Sequence, residues 1–227
     1  MRPLVIAIDG PAGSGKTVVG QRVAQALGYL YLDTGALYRA LTWLALNQGI
    51  DPHNGADLAR LARHASIEIE PPRVPNERGY TVLVNGQDVT RNISSPDVAN
   101  AVSVVAAHPE VRAEMLPLQR KFVRRGRVVI AGRDIGTVVA PEAGLKLFLE
   151  APLPIRVARR IAQLEAMGIK PDPAKVAAEM AERDRIDQSR AVAPLKPAPD
   201  AVILDTSTMT IDEEVSYILD LIARLDP

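Results

Sequence analysis

Two kinds of residue in this chain are suited to handling phosphate: a lysine–threonine pair closing a glycine-rich loop, and arginines clustered where other loops emerge. The segment Gly10-Pro11-Ala12-Gly13-Ser14-Gly15-Lys16-Thr17 fits G-x-x-x-x-G-K-[ST] and follows the apolar run Leu4-Val5-Ile6-Ala7-Ile8. A strand before and a helix after are the context in which this pattern forms a phosphate-binding loop. Its glycines let backbone N–H groups turn inward onto phosphate oxygens, and the next helix adds the partial positive charge of its N-terminus. Lys16 is placed to reach β- and γ-phosphates, and the Thr17 hydroxyl to ligate Mg²⁺. Residues Gly10 to Thr17, with Val18 behind them, are the expected nucleoside triphosphate site. A dinucleotide loop fits less well: Gly13-Ser14-Gly15 begins G-x-G-x-x-G, but Val18 stands where the third glycine is needed.

Most arginines are solvated surface residues, yet three groups here have a position that suggests more. Arg133-Asp134 follows the apolar run Val128-Val129-Ile130-Ala131 and lies between Gly132 and Gly136. Arg39 falls in the first turns of a helix that follows a second short apolar run, Tyr29-Leu30-Tyr31-Leu32. Arg183, Asp187 and Arg190 recur at i, i+4 and i+7, which puts two guanidiniums around a carboxylate on one helical face. An exposed ion-pair stripe would give the same spacing. Arginines converging beside a triphosphate site point to a second phosphorylated ligand, because guanidinium matches phosphate geometry bidentately.

These loops need a sheet to hold them. Apolar runs at 4–8, 29–32, 128–131, 145–149 and 201–204 alternate with helical patterns, which predicts a five-stranded parallel sheet covered by helices on both faces. In such a sheet ligands sit at the carboxyl ends of the strands, where both glycine-rich loops emerge. Between about Ser66 and Asn92 the texture changes to alternation: Ile67 and Ile69, then Pro71-Pro72-Arg73-Val74-Pro75, then Tyr80, Val82 and Val84, with Asn85-Gly86 as a two-residue hairpin signal. This predicts a small antiparallel insertion. Helices are expected around 58–63, from Pro96, from Pro109 to Arg124 with a kink or break at Pro117, over 154–167 and 173–188, and at the C-terminus behind a Thr210–Glu213 capping box.

Composition narrows the class. The 27 Lys and Arg balance the 27 Asp and Glu, which argues against a general nucleic-acid binder and for anions held by local arginine clusters. The absence of cysteine excludes disulfides, thiol catalysis and cysteine zinc sites. No apolar run reaches membrane-spanning length, and an early first strand leaves no room for a signal peptide, so a cytoplasmic protein and no membrane partner are expected.

Three further motifs carry a resemblance. Asp33-Thr34-Gly35-Ala36-Leu37-Tyr38-Arg39, Gly132-Arg133-Asp134-Ile135-Gly136-Thr137, and Glu182-Arg183-Asp184 through Arg190-Ala191-Val192-Ala193-Pro194-Leu195 resemble the bacterial cytidylate kinases, members of the P-loop nucleoside monophosphate kinases. The resemblance extends over nearly the whole chain. It implies ATP and CMP or dCMP as substrates, Mg²⁺ as the cofactor, and a monomer. It implies a core domain of residues 1–65, 94–153 and 191–227, a monophosphate-binding insertion at 66–93 and a helical lid at 154–190. By the same resemblance Arg39, Arg133 and Arg190 hold the acceptor phosphate, Arg112 and Asp134 with Thr34 nearby read the base, and Ser103, Arg183 and Asp187 meet the sugar. Lys16, Arg133 and Arg190 are the expected catalytic residues, and Arg156, Arg159 and Arg160 are candidates to close on the transferring phosphate.

Cytosine presents an amino donor at N4 beside acceptors at N3 and O2, an edge that a carboxylate paired with a guanidinium complements. The chain departs from the family pattern at Ala131, where an acidic residue usually precedes Gly-Arg-Asp and helps order the metal. That leaves the ion on Thr17, phosphates and water, with Asp9 or Asp33 as candidate helpers. A GTPase switch would need N-K-x-D, and no Asn-Lys pair occurs. The nearer alternative is a P-loop kinase for another nucleoside monophosphate or small acceptor.

Overall fold

The computed structural model describes residues 5–70, 72 and 79–225. Leu4 and most of the proline-rich segment after Glu70 lie outside the described residues. Five parallel strands form the central sheet: β1 (Val5–Asp9), β2 (Leu30–Asp33), β6 (Val128–Gly132), β7 (Leu145–Glu150) and β8 (Val202–Asp205), in the order β2-β6-β1-β7-β8. Three short strands, β3 (Ile67–Glu70), β4 (Thr81–Val84) and β5 (Gln87–Asp88), form a separate antiparallel sheet. All five residues of β6 are buried, and so is nearly all of β1 and β7, because helices cover both faces as a parallel sheet requires.

The connecting helices are α1 (Lys16–Leu27), α2 (Thr34–Asn47), α3 (Gly55–His64), α4 (Pro96–Val105), α5 (Pro109–Arg125), α6 (Leu153–Ala166), α7 (Pro173–Ser189) and α8 (Ile211–Leu225). Their ends follow local chemistry. Gly28 closes α1 in the left-handed region at φ 65°. Asp33 caps α2 by accepting from Gly35 N–H at 2.9 Å. At the start of α8, Thr210 N–H donates to Glu213 at 2.8 Å while Glu213 N–H donates back to the Thr210 hydroxyl at 3.3 Å. Asn85 and Gly86 both take positive φ, 50° and 80°, which turns β4 into β5.

The expected break at Pro117 does not occur: α5 runs unbroken from Pro109 to Arg125. Pro117 and Ala113, whose carbonyl the ring deprives of a donor, both lie on the exposed face of α5, where water can replace the bond. Val111, Met115, Phe122 and Val123 bury the opposite face on both sides of Pro117.

Strand register brings the loops together. Asp9 pairs with Gly132, and Asp33 with Ala131, so the loops after β1, β6 and β2 leave the sheet side by side at its carboxyl end. No helix among the described residues is long and apolar enough to cross a membrane.

Candidate active site

The loop after β1 needs its first glycine. Gly10 sits at φ 148°, and a Cβ there would lie 2.0 Å from the Leu149 carbonyl oxygen, so no side chain fits. Lys16, the first residue of α1, folds back over the loop and donates to the Pro11 carbonyl at 2.6 Å and to Ser14 Oγ at 3.3 Å. Burial, with Arg133 and Arg183 close by, holds the Lys16 ammonium well below the usual lysine range. Thr17 and Val18 are exposed on the first turn of α1.

Of Arg156, Arg159 and Arg160, the structure puts one against this loop. Arg156 donates to the Ala12 carbonyl at 3.0 Å, to the Ala151 carbonyl at 2.8 Å and to Asp184 of α7 at 2.6 Å. Arg159 is bound instead to Thr206, at 2.9 Å from its Oγ1, and Arg160 to Gln163 on the exposed face of α6 at 2.7 Å.

The loop after β6 is fixed from β1. Both carboxylate oxygens of Asp9 are occupied, one by Ile135 N–H at 2.8 Å and the other by Gly136 N–H at 2.7 Å. The Asp9 carboxylate, a candidate helper for the metal, caps the π-helical turn Ile135–Val139. Burial pushes Asp9 up to about 6, with the two amide bonds working against that rise and Asp134 adding to it. This clamp ties the strand that launches the phosphate loop to the segment bearing Arg133 and Asp134.

Asp134 forms a buried ion pair with Arg112 of α5. Arg112 also donates to the Ala106 carbonyl at 3.2 Å, and its guanidinium lies over the Tyr38 ring, 5.6 Å from the centroid. A cavity of about 170 Å³ opens beside this pair, lined by Tyr38, Arg112, Leu116, Gln119 and Val192 among others. Thr34, predicted near the base, is buried and donates its hydroxyl proton to the Ala131 carbonyl at 3.0 Å.

The third predicted group is no surface stripe. Asp187 is buried and bridges two guanidiniums, Arg133 at 2.7 Å and Arg190 at 2.9 Å. Burial opposes its ionisation, yet Arg133 and Arg190 hold its carboxyl below the usual carboxylate range. Arg190 lies one residue past α7 in an extended conformation, so it returns to Asp187 from the C-cap instead of from the helix face. Arg183 is half-buried with its Nε unpartnered, and burial together with Arg133 and Arg39 lowers its guanidinium to about 9. It remains a cation at neutral pH. Arg39 donates to the Ile93 carbonyl at 3.4 Å. Ser103 lies half-buried on α4, which packs against α7. Lys16, Arg39, Arg133 and Arg183 thus crowd one region, and the positive charge they share is what a polyanion would relieve.

Sequence reasoning missed Asp184 as the partner of Arg156, and Glu214. Glu214 is fully buried, and neither of its carboxylate oxygens has a hydrogen-bond partner. The available signal was its position: four residues before Ile218, on the apolar face of α8, where a charge is out of place.

The cytidylate kinase family model matches residues 6–224. The chain belongs to the cytidylate kinase family. Among its relatives is a cytidylate kinase of Geobacillus kaustophilus, 48% identical over 221 residues and covering 97% of each chain. Another, from Chloroflexus aggregans, is 48% identical over 218 residues, covering 96% of this chain and 93% of its own. Among solved structures, a gluconokinase from Sinorhizobium meliloti superposes with a TM-score of 0.50 at 15% identity, covering 98% of this chain and 93% of its own, a likeness of fold. Both cytidylate kinase relatives align over nearly the whole of this chain.

Proposed function

We propose that the protein transfers the γ-phosphate of ATP to CMP or dCMP, giving ADP and CDP or dCDP. The observation that carries this reading is that the phosphate loop and the Arg133 loop leave adjacent strands side by side, with Arg133 and Arg190 both tied to the buried Asp187. Loops that leave neighbouring strands side by side are positioned to share a pair of phosphates.

The same geometry supports an acceptor pocket beside the phosphate loop. Asp134 accepts from the cytosine amino group while Arg112 donates to the ring acceptors. Uracil would present a carbonyl to Asp134 and leave a buried carboxylate facing an acceptor, which discriminates strongly. Arg39, Arg133 and Arg190 take the acceptor phosphate, and Arg183 and Asp187 with Ser103 meet the sugar. Asp187 also fixes the forks of Arg133 and Arg190, so little side-chain entropy is lost when phosphate binds.

No general base is required. The acceptor phosphate has a second pKa of about 6 and is already largely dianionic at neutral pH. Rate enhancement then rests on in-line positioning and on charge neutralisation by Lys16 and the arginines. Arg156, braced between the Ala12 carbonyl and Asp184, is the lid arginine nearest the phosphates; exchanging Asp184 for a phosphate oxygen would close α6 and α7 over the site and exclude water. Mg²⁺ bound with ATP supplies further neutralisation of the β- and γ-oxygens. The residues present fit such an ion: Thr17 is exposed on the first turn of α1, Asp33 keeps one carboxylate oxygen beyond its Gly35 cap, and substrate phosphates with water complete the shell a magnesium ion prefers.

An acceptor screen with ATP and Mg²⁺ tests the reading. CMP and dCMP should be the fastest of the nucleoside monophosphates; faster turnover of AMP, GMP or UMP, or of a non-nucleotide acceptor, would overturn it.

A further inference from the structure

Tyr31 is a buried residue of β2 whose hydroxyl has no hydrogen-bond partner among the described residues, and the Thr17 side chain lies close enough to bear on it. The ring reaches Thr17 by crossing the first turns of α1 at Gly20. A Cβ on Gly20 would lie 2.7 Å from Tyr31 Cε2, so the helix admits the ring only because that residue is glycine. Gly20 and Thr17 stand three residues apart on one helical face, which leads the phenol tip toward the hydroxyl one turn nearer the phosphate loop. On its other side the Tyr31 ring stacks on Tyr80, with centroids 6.4 Å apart and planes 28° from parallel, which fixes it from the side of the small antiparallel sheet. A rigid, buried phenol with an unused oxygen beside the phosphate-loop threonine is costly unless that oxygen gains a partner at some stage of the cycle.

We propose that Tyr31 is a positioning residue for Thr17: its phenolic oxygen accepts the Thr17 hydroxyl proton when the Thr17 oxygen turns a lone pair to the magnesium ion. This rests on the reading of Gly10–Thr17 as the Mg·ATP site. A hydroxyl bound to a cation keeps its proton and becomes a stronger donor, so it needs an acceptor directed away from the metal. Tyr31 offers one. The aromatic pair also sets how firmly the acceptor is held, because Tyr80 belongs to the segment entering β4.

The test compares Tyr31→Phe with the wild type by titration calorimetry, using a non-hydrolysable β,γ-methylene analogue of ATP either with excess Mg²⁺ or in EDTA. Loss of one hydrogen bond should weaken binding about fivefold with Mg²⁺ and leave binding in EDTA within about twofold. The melting temperature of the ligand-free variant should equal or exceed that of the wild type, because the substitution deletes an unpartnered buried hydroxyl. In a Thr17→Ala background Tyr31→Phe should have no further effect on Mg²⁺-dependent binding. Equal weakening with and without Mg²⁺, no weakening in either, or a full Tyr31→Phe effect in the Thr17→Ala background would each overturn the proposal. A lowered melting temperature with unchanged metal dependence would reduce Tyr31 to a packing residue. Failure of the wild type to bind the analogue at all would instead refute the nucleotide-site reading beneath it.

Discussion

Glu214→Gln should make the protein more stable at alkaline pH and change little at acid pH. Glu214 has no solvent exposure, and neither carboxylate oxygen is partnered, so ionisation in place is opposed by desolvation. Burial raises it from 4.5 to about 7, with Arg159 providing only partial compensation. The folded protein therefore holds this proton more tightly than the unfolded chain does. Stability is fully present below the unfolded value of 4.5 and is lost as pH rises through about 7. At 1.36 kcal/mol per unit, the loss between pH 5 and pH 9 comes to about 2.5 kcal/mol for this one group. Glutamine keeps the shape and cannot ionise. The difference in unfolding free energy between variant and wild type, measured in urea at 25 °C, should grow by about 2.5 kcal/mol over that pH range, or by about 5–10 °C in melting temperature. Parallel pH profiles for the two proteins would refute the claim that the Glu214 carboxylate is desolvated.

Lys16→Ala should abolish phosphoryl transfer while preserving the far-ultraviolet circular dichroism of the fold; turnover within a few fold of wild type would contradict the phosphate-loop assignment. Asp187→Asn should weaken the grip on Arg133 and Arg190 and lower kcat/KM for CMP by about tenfold or more in steady-state assays. Because those guanidiniums hold Asp187 below its ordinary 3.8, its stabilisation is present above that value and lost as pH falls through the lower folded one, so the wild type should lose more stability than Asp187→Asn in acid unfolding curves. Asp9→Asn keeps one acceptor for the two amides of Ile135 and Gly136 and turns an NH₂ toward the other, so it should raise KM for CMP by about tenfold and KM for ATP much less.

Much of this molecule is legible in its sequence because the informative signals are local. The phosphate loop needs glycine at fixed spacings, the parallel strands read as apolar runs, and Asn85-Gly86 permits little besides a tight hairpin. The arginine groups were also legible as candidates, since loop position and helical spacing are sequence properties. What spacing left open was burial. The spacing of Arg183, Asp187 and Arg190 fits an exposed stripe as well as a sealed cluster; packing of α7 decides, and the observed bridge takes Arg133 in place of Arg183 as the second guanidinium on Asp187. Asp9 illustrates a different limit. Its role as an amide clamp depends on a register pairing with Gly132, a residue more than a hundred positions away, and no local pattern reports that. Pro117 shows the reverse: a local rule predicted a break, and burial of one helix face against the core overrode it.

Reading of cytosine by Asp134 is the central claim, and the measurement that bears on it is the ratio of kcat/KM for CMP over UMP in Asp134→Asn against the wild type. Converting the carboxylate to an amide places a donor before the cytosine amino group and before no donor of uracil. The ratio should fall by about 10²-fold or more. An unchanged ratio, with both values lowered together, would contradict that claim and move base recognition away from the Arg112–Asp134 pair.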